Sequence, residues 1–296
     1  MKKIRKAVIP AAGYGTGFLP VTKAIAKEML PIVDKPVIQF IVEEAVASGI
    51  EEILIITGKS KRPIEDHFDS NIELEENLES KGKVKMLEMV QSITQANLFF
   101  VRQSYPLGLG DAIYQAKAFV GDEPFVVMLG DNIMDSETPV TKQIMDLYHE
   151  TGAPNVALVE VEAKETRKYG IADVQTSSSH KLAEDVVHIN HFVEKPQPEK
   201  APSNLAIAGR YVLTPEIFDL LENLAPGLDD EVQLTDAIEQ LNESKRVLGK
   251  VIEGKRYDVG NPMGYMQMSI EYALKHPETA EDFKQYLIRM SKELSE

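Results

Sequence analysis

The chain has 296 residues and no cysteine, and its 47 acidic against 32 basic side chains leave a formal charge of −15 at pH 7. That balance excludes a disulfide scaffold, a cysteine nucleophile and a thiolate metal site, and it makes nucleic acid and anionic membrane surfaces poor partners. With 43 % apolar and 27 % charged residues the chain can fill a large core, and no apolar run approaches the roughly 20 residues of a membrane span. The start Met1-Lys2-Lys3-Ile4-Arg5-Lys6 leads straight into a strand pattern, so a soluble, cytoplasmic protein is expected.

Residues 6–10 form a short apolar run that stops in Ala11-Ala12-Gly13-Tyr14-Gly15-Thr16-Gly17, a strand entering a glycine-rich loop suited to close backbone approach to a ligand. Val37, Ile38, Ile41, Val42, Ala45 and Val46 recur at helical spacing until Ser48-Gly49, and 52–57 reads as a second buried strand. Residues 69–85, rich in Glu and Lys, read as a solvated excursion. The rhythm resumes with strand 98–101, helix 111–120, strand 125–129, helix 142–151 and strand 156–161, so at least five buried strands share one sheet. Strands at 170–174, 186–193 and 206–213 then alternate with helices at 215–223 and 235–242, as a second wall to a cleft. Helical patterns at 263–275 and 280–294 close the chain, split by His276-Pro277. Without repeats or a linker, a single domain over 1–296 is expected, with helices 263–294 as candidates for contacts in a homo-oligomer.

The glycine loop is neither a dinucleotide fingerprint, since Phe18 stands where the third glycine belongs, nor a Walker loop, since no Gly-Lys-Ser/Thr follows. What remains is a strand followed by exposed amides, a generic anion cradle, backed by the cations Lys23 and Lys27. Asp131 follows the apolar run 125–129 and Gly130, at a strand's carboxyl end, where ligands of open parallel sheets bind. His188 and His191, three apart on a strand, should point to opposite faces, which argues against a metal site there. Any metal is expected on oxygen ligands, one or two carboxylates plus phosphates, as Mg²⁺ prefers.

Gly13-Tyr14-Gly15-Thr16, Lys27-Glu28-Met29-Leu30-Pro31, Asp34-Lys35-Pro36, Val193-Glu194-Lys195-Pro196, Ala201-Pro202-Ser203-Asn204-Leu205-Ala206, Gln233-Leu234-Thr235-Asp236-Ala237-Ile238 and Tyr257-Asp258-Val259-Gly260-Asn261 together resemble the bacterial UTP:glucose-1-phosphate uridylyltransferases. These blocks run in family order from about residue 6 to 275; several are shared with thymidylyl relatives, and the Lys27 and Gln233 blocks favour the uridylyl branch. The resemblance implies an α/β fold, a mixed, largely parallel sheet in a Rossmann-like nucleotide-diphospho-sugar transferase arrangement. It implies UTP and glucose 1-phosphate as substrates, Mg²⁺ as cofactor, and a dimer or tetramer. By the same transfer Lys27 neutralises the α-phosphate, and Asp131 and Asp258 hold the metal. Ala11, Ala12, Gly13, Glu28, Gln103 and Gly108 hold the nucleotide, with Gln103 and the Gly108 backbone on the uracil edge. Gly170 and Glu194 hold the glucose hydroxyls, and Lys195 neutralises the sugar phosphate.

Three positions depart from the family pattern. Gly17 stands where the loop carries arginine, Ala26 where proline is usual, which should loosen the loop that aims Lys27, and Asn132 where many relatives carry a second acid. Loss of one preorganised cation commonly costs roughly 10² to 10³ in turnover. The alternative to an active enzyme is therefore a catalytically weakened paralogue that binds a UDP-sugar and acts as a regulatory or assembly protein.

Overall fold

The computed structural model describes residues 2–93, 96–175 and 183–295. The first strand, β1 (Lys6–Pro10), runs into the glycine loop, and a small hairpin, β2 (Pro31–Ile32) with β3 (Lys35–Pro36), leads into helix α1 (Val37–Ala47). Strand β4 (Glu52–Thr57) follows, then the short α2 (Arg62–Phe68). The excursion expected at 69–85 is solvated but not irregular: it is a helical hairpin, α3 (Ile72–Ser80) and α4 (Val84–Ile93), turned at Gly82 (φ 65°) and with no buried residue on α4. Charged side chains had masked a weakly amphipathic helical period there.

Strand β5 (Leu98–Arg102) is half exposed at the sheet edge. The helix expected over 111–120 is broken into α5 (Leu109–Tyr114) and α6 (Lys117–Val120), because the Ala116 amide turns back to Ile113 and tightens the chain into a 3₁₀ step. Then come β6 (Phe125–Met128), β7 (Asn132–Asp135), α7 (Val140–Thr151), β8 (Asn155–Glu160), β9 (Gly170–Val174), β10 (Val186–Glu194) and β11 (Leu205–Leu213). The chain ends with α8 (Ile217–Asn223), α9 (Leu234–Lys245), β12 (Leu248–Val251), β13 (Lys255–Asp258), α10 (Pro262–Ala273) and α11 (Ala280–Glu293).

Nine strands form one mixed sheet in the order β5-β4-β1-β6-β11-β8-β12-β10-β9. The parallel part is β5-β4-β1-β6 together with β8-β12, while β11 and β10 pair antiparallel with their neighbours. Side-chain alternation divides the core in two. Ala7, Ile9, Ile53, Ile55, Val126 and Met128 face one layer with α1 and α7, whereas Val8, Leu54, Ile56, Phe125 and Val127 face the other with α5, α8 and α9. On β10 a bulge between Ile189 and His191 shifts the register; His191 pairs with Asp173 at 3.1 Å, and His188 Nδ1 is buried without a hydrogen-bond partner among the described residues.

A separate two-stranded ribbon positions the site. β13 pairs antiparallel with β7, setting Asp258 opposite Asn132, and thereby brings the C-terminal Asp258 beside Asp131. Helix α10 then packs back through Tyr265, whose hydroxyl donates to the Pro31 carbonyl at 2.6 Å and whose ring meets Phe18 edge-on.

Candidate active site

The ends of the parallel strands open into a cavity of about 470 Å³ lined by the glycine loop, Lys27, Glu28, Gln103, Gly108 and Asp131. The loop is held in shape by glycine itself. At Gly15 (φ 68°) a Cβ would sit 3.2 Å from Lys27 Cβ, and Thr22 Oγ1 donates to the Gly15 carbonyl at 2.7 Å. Ala12 and Gly13 line the cavity, but Ala11 departs from its expected place in the binding set. Its side chain lies in the core and its amide donates to Ile56 at 2.8 Å, so it anchors the loop from behind.

Lys27 Nζ lies 2.5 Å from Asp131 Oδ2. Burial alone would lower the Lys27 pKa, but Asp131, Glu28 and Asp258 outweigh it and hold it above the ordinary lysine value. Burial would conversely raise Asp131, and Lys27 with an Asn132 Nδ2 donation at 2.9 Å hold it below the ordinary aspartate value. Both groups are therefore charged at neutral pH. Under them Glu28, 1 % exposed, accepts from Lys61 Nζ at 2.7 Å; burial pushes the Glu28 carboxyl up against the pull of Lys61 and Lys27.

Asp258 completes the anionic side. A Cβ built at Gly260 would fall 2.9 Å from Asp131 Oδ2 and 3.1 Å from Asp258 Oδ1, so the two carboxylates converge on one point, and a side chain there would push them apart. Asp258 is aimed by the Gly260 amide at 3.0 Å and by the Tyr169 hydroxyl, which donates to Oδ2 at 2.8 Å. Burial pushes the Tyr169 phenol up, so it remains a donor at neutral pH, and the Arg256 guanidinium stacks 4.1 Å over its ring.

Tyr169 also links this centre to the second half of the cleft, since its carbonyl accepts from the Lys195 amide at 3.0 Å. Lys195 holds φ 45°, a left-handed conformation uncommon outside glycine and the kind of strain that accumulates at binding sites. Its Nζ is 3.8 Å from Glu194 Oε1, while Glu194 Oε2 accepts from Thr235 Oγ1 at 2.6 Å. Gly170 leaves room for that pair: a Cβ there would be 3.2 Å from Glu194 Oε2 and 3.1 Å from Thr235 Oγ1. Gly170, Glu194 and Lys195 thus form one group, distinct from the glycine-loop cavity and joined to it through Tyr169 and Asp258.

At the other end Gln103 Nε2 donates to the Gly108 carbonyl at 3.1 Å and to Asp111 Oδ2 at 2.6 Å, which fixes the amide with its oxygen left as an acceptor. The Gly108 amide makes no hydrogen bond among the described residues, and a Cβ at Gly108 (φ 108°) would lie 2.7 Å from the Val232 carbonyl. A donor and an acceptor therefore stand side by side.

Two departures from the family loop acquire a structural meaning. A Cβ at Gly17 would meet the Gly260 carbonyl at 2.9 Å, so any side chain there must displace the turn that carries Asp258. Ala26, buried with φ −61° and ψ 133°, already holds proline's backbone geometry, and its amide makes no hydrogen bond among the described residues. The loop that aims Lys27 is not loosened in the folded state. Ala26→Pro is expected to stabilise the protein by about 0.4–1 kcal/mol through the unfolded chain, read as an upward shift in a thermal melt with kcat unchanged.

Sequence reading missed several supporting residues. Arg210 is fully buried in β11, with Nη2 2.6 Å from Glu44 Oε2 and donating at 2.7 Å to the Asn132 carbonyl; Nη1 donates to the Leu129 carbonyl at 3.3 Å. It fastens the Asp131 turn from below. Its signal was a lone arginine inside the apolar run of residues 205–213. Tyr169, Lys61 and Thr235 gave no such signal, because their partners come from distant segments.

The nucleotidyl transferase family model matches residues 6–274. A UTP–glucose-1-phosphate uridylyltransferase of Streptococcus pyogenes serotype M3 is 59 % identical over 298 residues, covering 99 % of this chain and 98 % of its own. Among solved structures, a UTP-bound UGPase from Acinetobacter baumannii is 39 % identical with a TM-score of 0.87, covering 96 % of this chain and 99 % of its own. A UDP-glucose pyrophosphorylase complexed with UDP-glucose is 43 % identical with a TM-score of 0.83, covering 92 % and 100 %. With the fold, the glycine loop and nearly its whole length shared, this chain belongs to the nucleotidyl transferase family, among the bacterial UTP:glucose-1-phosphate uridylyltransferases.

Proposed function

We propose that the protein is a UTP:glucose-1-phosphate uridylyltransferase that forms UDP-glucose and pyrophosphate in one displacement, within a single domain. The observation that carries this reading is the convergence of Asp131 and Asp258 beside Lys27 at the wall of the glycine-loop cavity. The reaction unites two polyanions, so positioning and charge neutralisation supply most of the rate. A phosphate monoester with a second pKa near 6 is already nucleophilic at neutral pH, which removes the need for a general base.

The nucleotide lies along Ala12, Gly13 and Glu28 with its base toward Gln103 and Gly108. The fixed Gln103 oxygen accepts the uracil N3–H while the Gly108 amide donates to a ring carbonyl; cytosine presents an acceptor at N3 and fails that pattern. Lys27, held in place by Asp131, sets its ammonium at the α-phosphate. Glu194, backed by Thr235 and given room by Gly170, accepts from the glucose hydroxyls, and Lys195 neutralises the sugar phosphate.

Enzymes of this kind generally use a divalent metal, and here we assign Mg²⁺. Asp131 and Asp258 fit it. They supply two converging carboxylates, and among the described residues no third His, Cys, Asp or Glu completes an all-protein cage and the buried Asn132 Oδ1 beside them has no hydrogen-bond partner. Such a donor set suits a cation that keeps waters and phosphate oxygens, and when bound it would neutralise charge that develops on the triphosphate. No helix of the described residues is long and apolar enough to cross a membrane; a cytoplasmic homo-oligomer is our reading, supported by the exposed Met263, Met266 and Ile270 along α10 and Tyr286 and Ile288 along α11.

Substrate competition tests the assignment. UTP with glucose 1-phosphate should exceed CTP, and glucose 1-phosphate should exceed other hexose 1-phosphates, each by at least tenfold in kcat/KM. Equal use of CTP would remove the role given to Gln103 and Gly108.

A further inference from the structure

Tyr169 closes the 3₁₀ turn Ala163–Lys168, its amide donating to the Thr166 carbonyl at 3.2 Å, and the next residue opens β9. Because Gly170 pairs with Glu194 in the β9–β10 register, Tyr169 falls opposite Lys195 and extends the ladder by one step, its carbonyl accepting the Lys195 amide at 3.0 Å. Its side chain meets a different strand. On β13 Tyr257 is buried, while Arg256 and Asp258 are half-buried on the opposite face. The Tyr169 ring lies 4.1 Å beneath the Arg256 guanidinium and its hydroxyl reaches Asp258 Oδ2 at 2.8 Å, so one aromatic side chain spans both residues of that face. Among the described residues it is the one side-chain donor to Asp258, whose other carboxylate oxygen is held by the Gly260 amide. The Arg256 guanidinium makes no ion pair or hydrogen bond among them, which leaves its stack on the ring as its fixed contact.

We propose that Tyr169 is a positioning residue that sets the spacing between the two halves of the cleft, its backbone holding Lys195 and its hydroxyl holding Asp258. The inference rests on the uridylyltransferase reading, in which Lys195 meets the sugar phosphate and Asp258 faces the triphosphate. The attacking oxygen belongs to the first group and the α-phosphorus lies beside the second. How Lys195 and Asp258 are held relative to each other therefore enters the approach distance, where a misplacement of about 1 Å can cost roughly 10² in rate. Lys195 follows β10 and Asp258 ends β13, strands that belong to different sheets. Among the described residues only Tyr169 bonds to both, and Arg256 locks its ring onto the strand that carries Asp258.

Two variants separate the two ends. Tyr169→Phe keeps the ring and the backbone contact and removes the hydroxyl alone. With the unreactive α,β-methylene analogue of UTP bound, it should weaken Mn²⁺ binding, read by electron paramagnetic resonance of free Mn²⁺, by about tenfold, within the roughly 10- to 100-fold range for losing a hydrogen-bond partner of a metal ligand. Its kcat should fall at limiting Mg²⁺ and recover toward wild type as Mg²⁺ is raised, which a general loss of structure would not allow. Tyr169→Leu also removes the ring that anchors the Lys195 side, and it should weaken UDP-glucose binding in metal-free calorimetry by about tenfold, against less than twofold for Tyr169→Phe. UMP, which lacks the sugar and its phosphate, should bind all three proteins within twofold. Equal Mn²⁺ affinity in wild type and Tyr169→Phe, no Mn²⁺ binding in wild type, unchanged UDP-glucose affinity in Tyr169→Leu, or an equal loss for UMP would each overturn the proposal. None of these binding readouts needs turnover, so a wild type that forms no UDP-glucose counts against the uridylyltransferase reading and not against the placement of Asp258 and Lys195 by Tyr169.

Discussion

Asp131→Ala is expected to lower the rate of pyrophosphate release by about 10³ or more, with the fold retained. The substitution removes three things at once: half of the carboxylate pair with Asp258, the partner of Lys27 at 2.5 Å, and the acceptor for Asn132 Nδ2. It also leaves the Lys27 ammonium without its neighbour, and breaking a buried ion pair commonly costs 3–5 kcal/mol. Here both side chains keep a fifth to a quarter of their surface, so the loss should fall below that range. Far-ultraviolet dichroism and a melt alongside the rate assay separate the two effects; retained metal-dependent activity in the variant contradicts the role given to Asp131.

The same residue fixes a pH dependence. Although burial opposes it, Lys27 holds the folded-state pKa of Asp131 below the unfolded value, so the unfolded chain binds the proton more readily. The stability this contributes is complete above the unfolded value of about 4 and is lost as pH falls through the lower folded value. Between pH 6 and pH 3 the wild-type Tm should therefore fall more steeply than that of Asp131→Asn. Parallel curves would show that the pair contributes nothing to the native state.

Lys27→Met is expected to lower kcat by about 10² to 10³ while changing the KM for UTP much less. Its ammonium is preorganised by Asp131, Glu28 and Asp258 and kept charged by them, so it needs no rearrangement as negative charge develops at the α-phosphate. A residue that bound UTP and the transition state equally would change KM instead. Lys27 and Asp131 act as a unit, and the double variant should therefore lose much less than the product of the single losses. Steady-state rates across the four proteins measure this, and strict multiplicativity would mean that the two side chains work apart.

How much of this was legible in the residues follows from distance along the chain. The rhythm of β1, β4, β6 and β8 could be read because each is a mostly apolar run buried on both faces, as in Glu52–Thr57 and Phe125–Met128, and β5 was legible from its apolar run although the sheet edge leaves it half exposed. The glycine loop, Lys27 and Asp131 were legible too, since their chemistry is written within a few residues of a strand end. The β7–β13 ribbon was not: Asn132 and Asp258 are too far apart for any local pattern to show that they pair. The buried Arg210–Glu44 support and the Lys61–Glu28 pair were hidden for the same reason. The expected cost of Gly17 was inferred from the family loop alone, and the Gly260 carbonyl pressed against it became visible only in three dimensions.

The central claim is that Lys27, Asp131 and Asp258 assemble a working nucleotidyl-transfer centre despite the missing loop cation. The most direct measurement is pyrophosphate release by the purified wild-type protein with UTP, glucose 1-phosphate and Mg²⁺, with UDP-glucose quantified in the same samples. The account predicts equimolar UDP-glucose and pyrophosphate, formed catalytically and abolished by chelating the metal. Binding of UTP with no turnover above background at high enzyme concentration would contradict it, and would leave a UDP-sugar-binding protein that has lost the reaction.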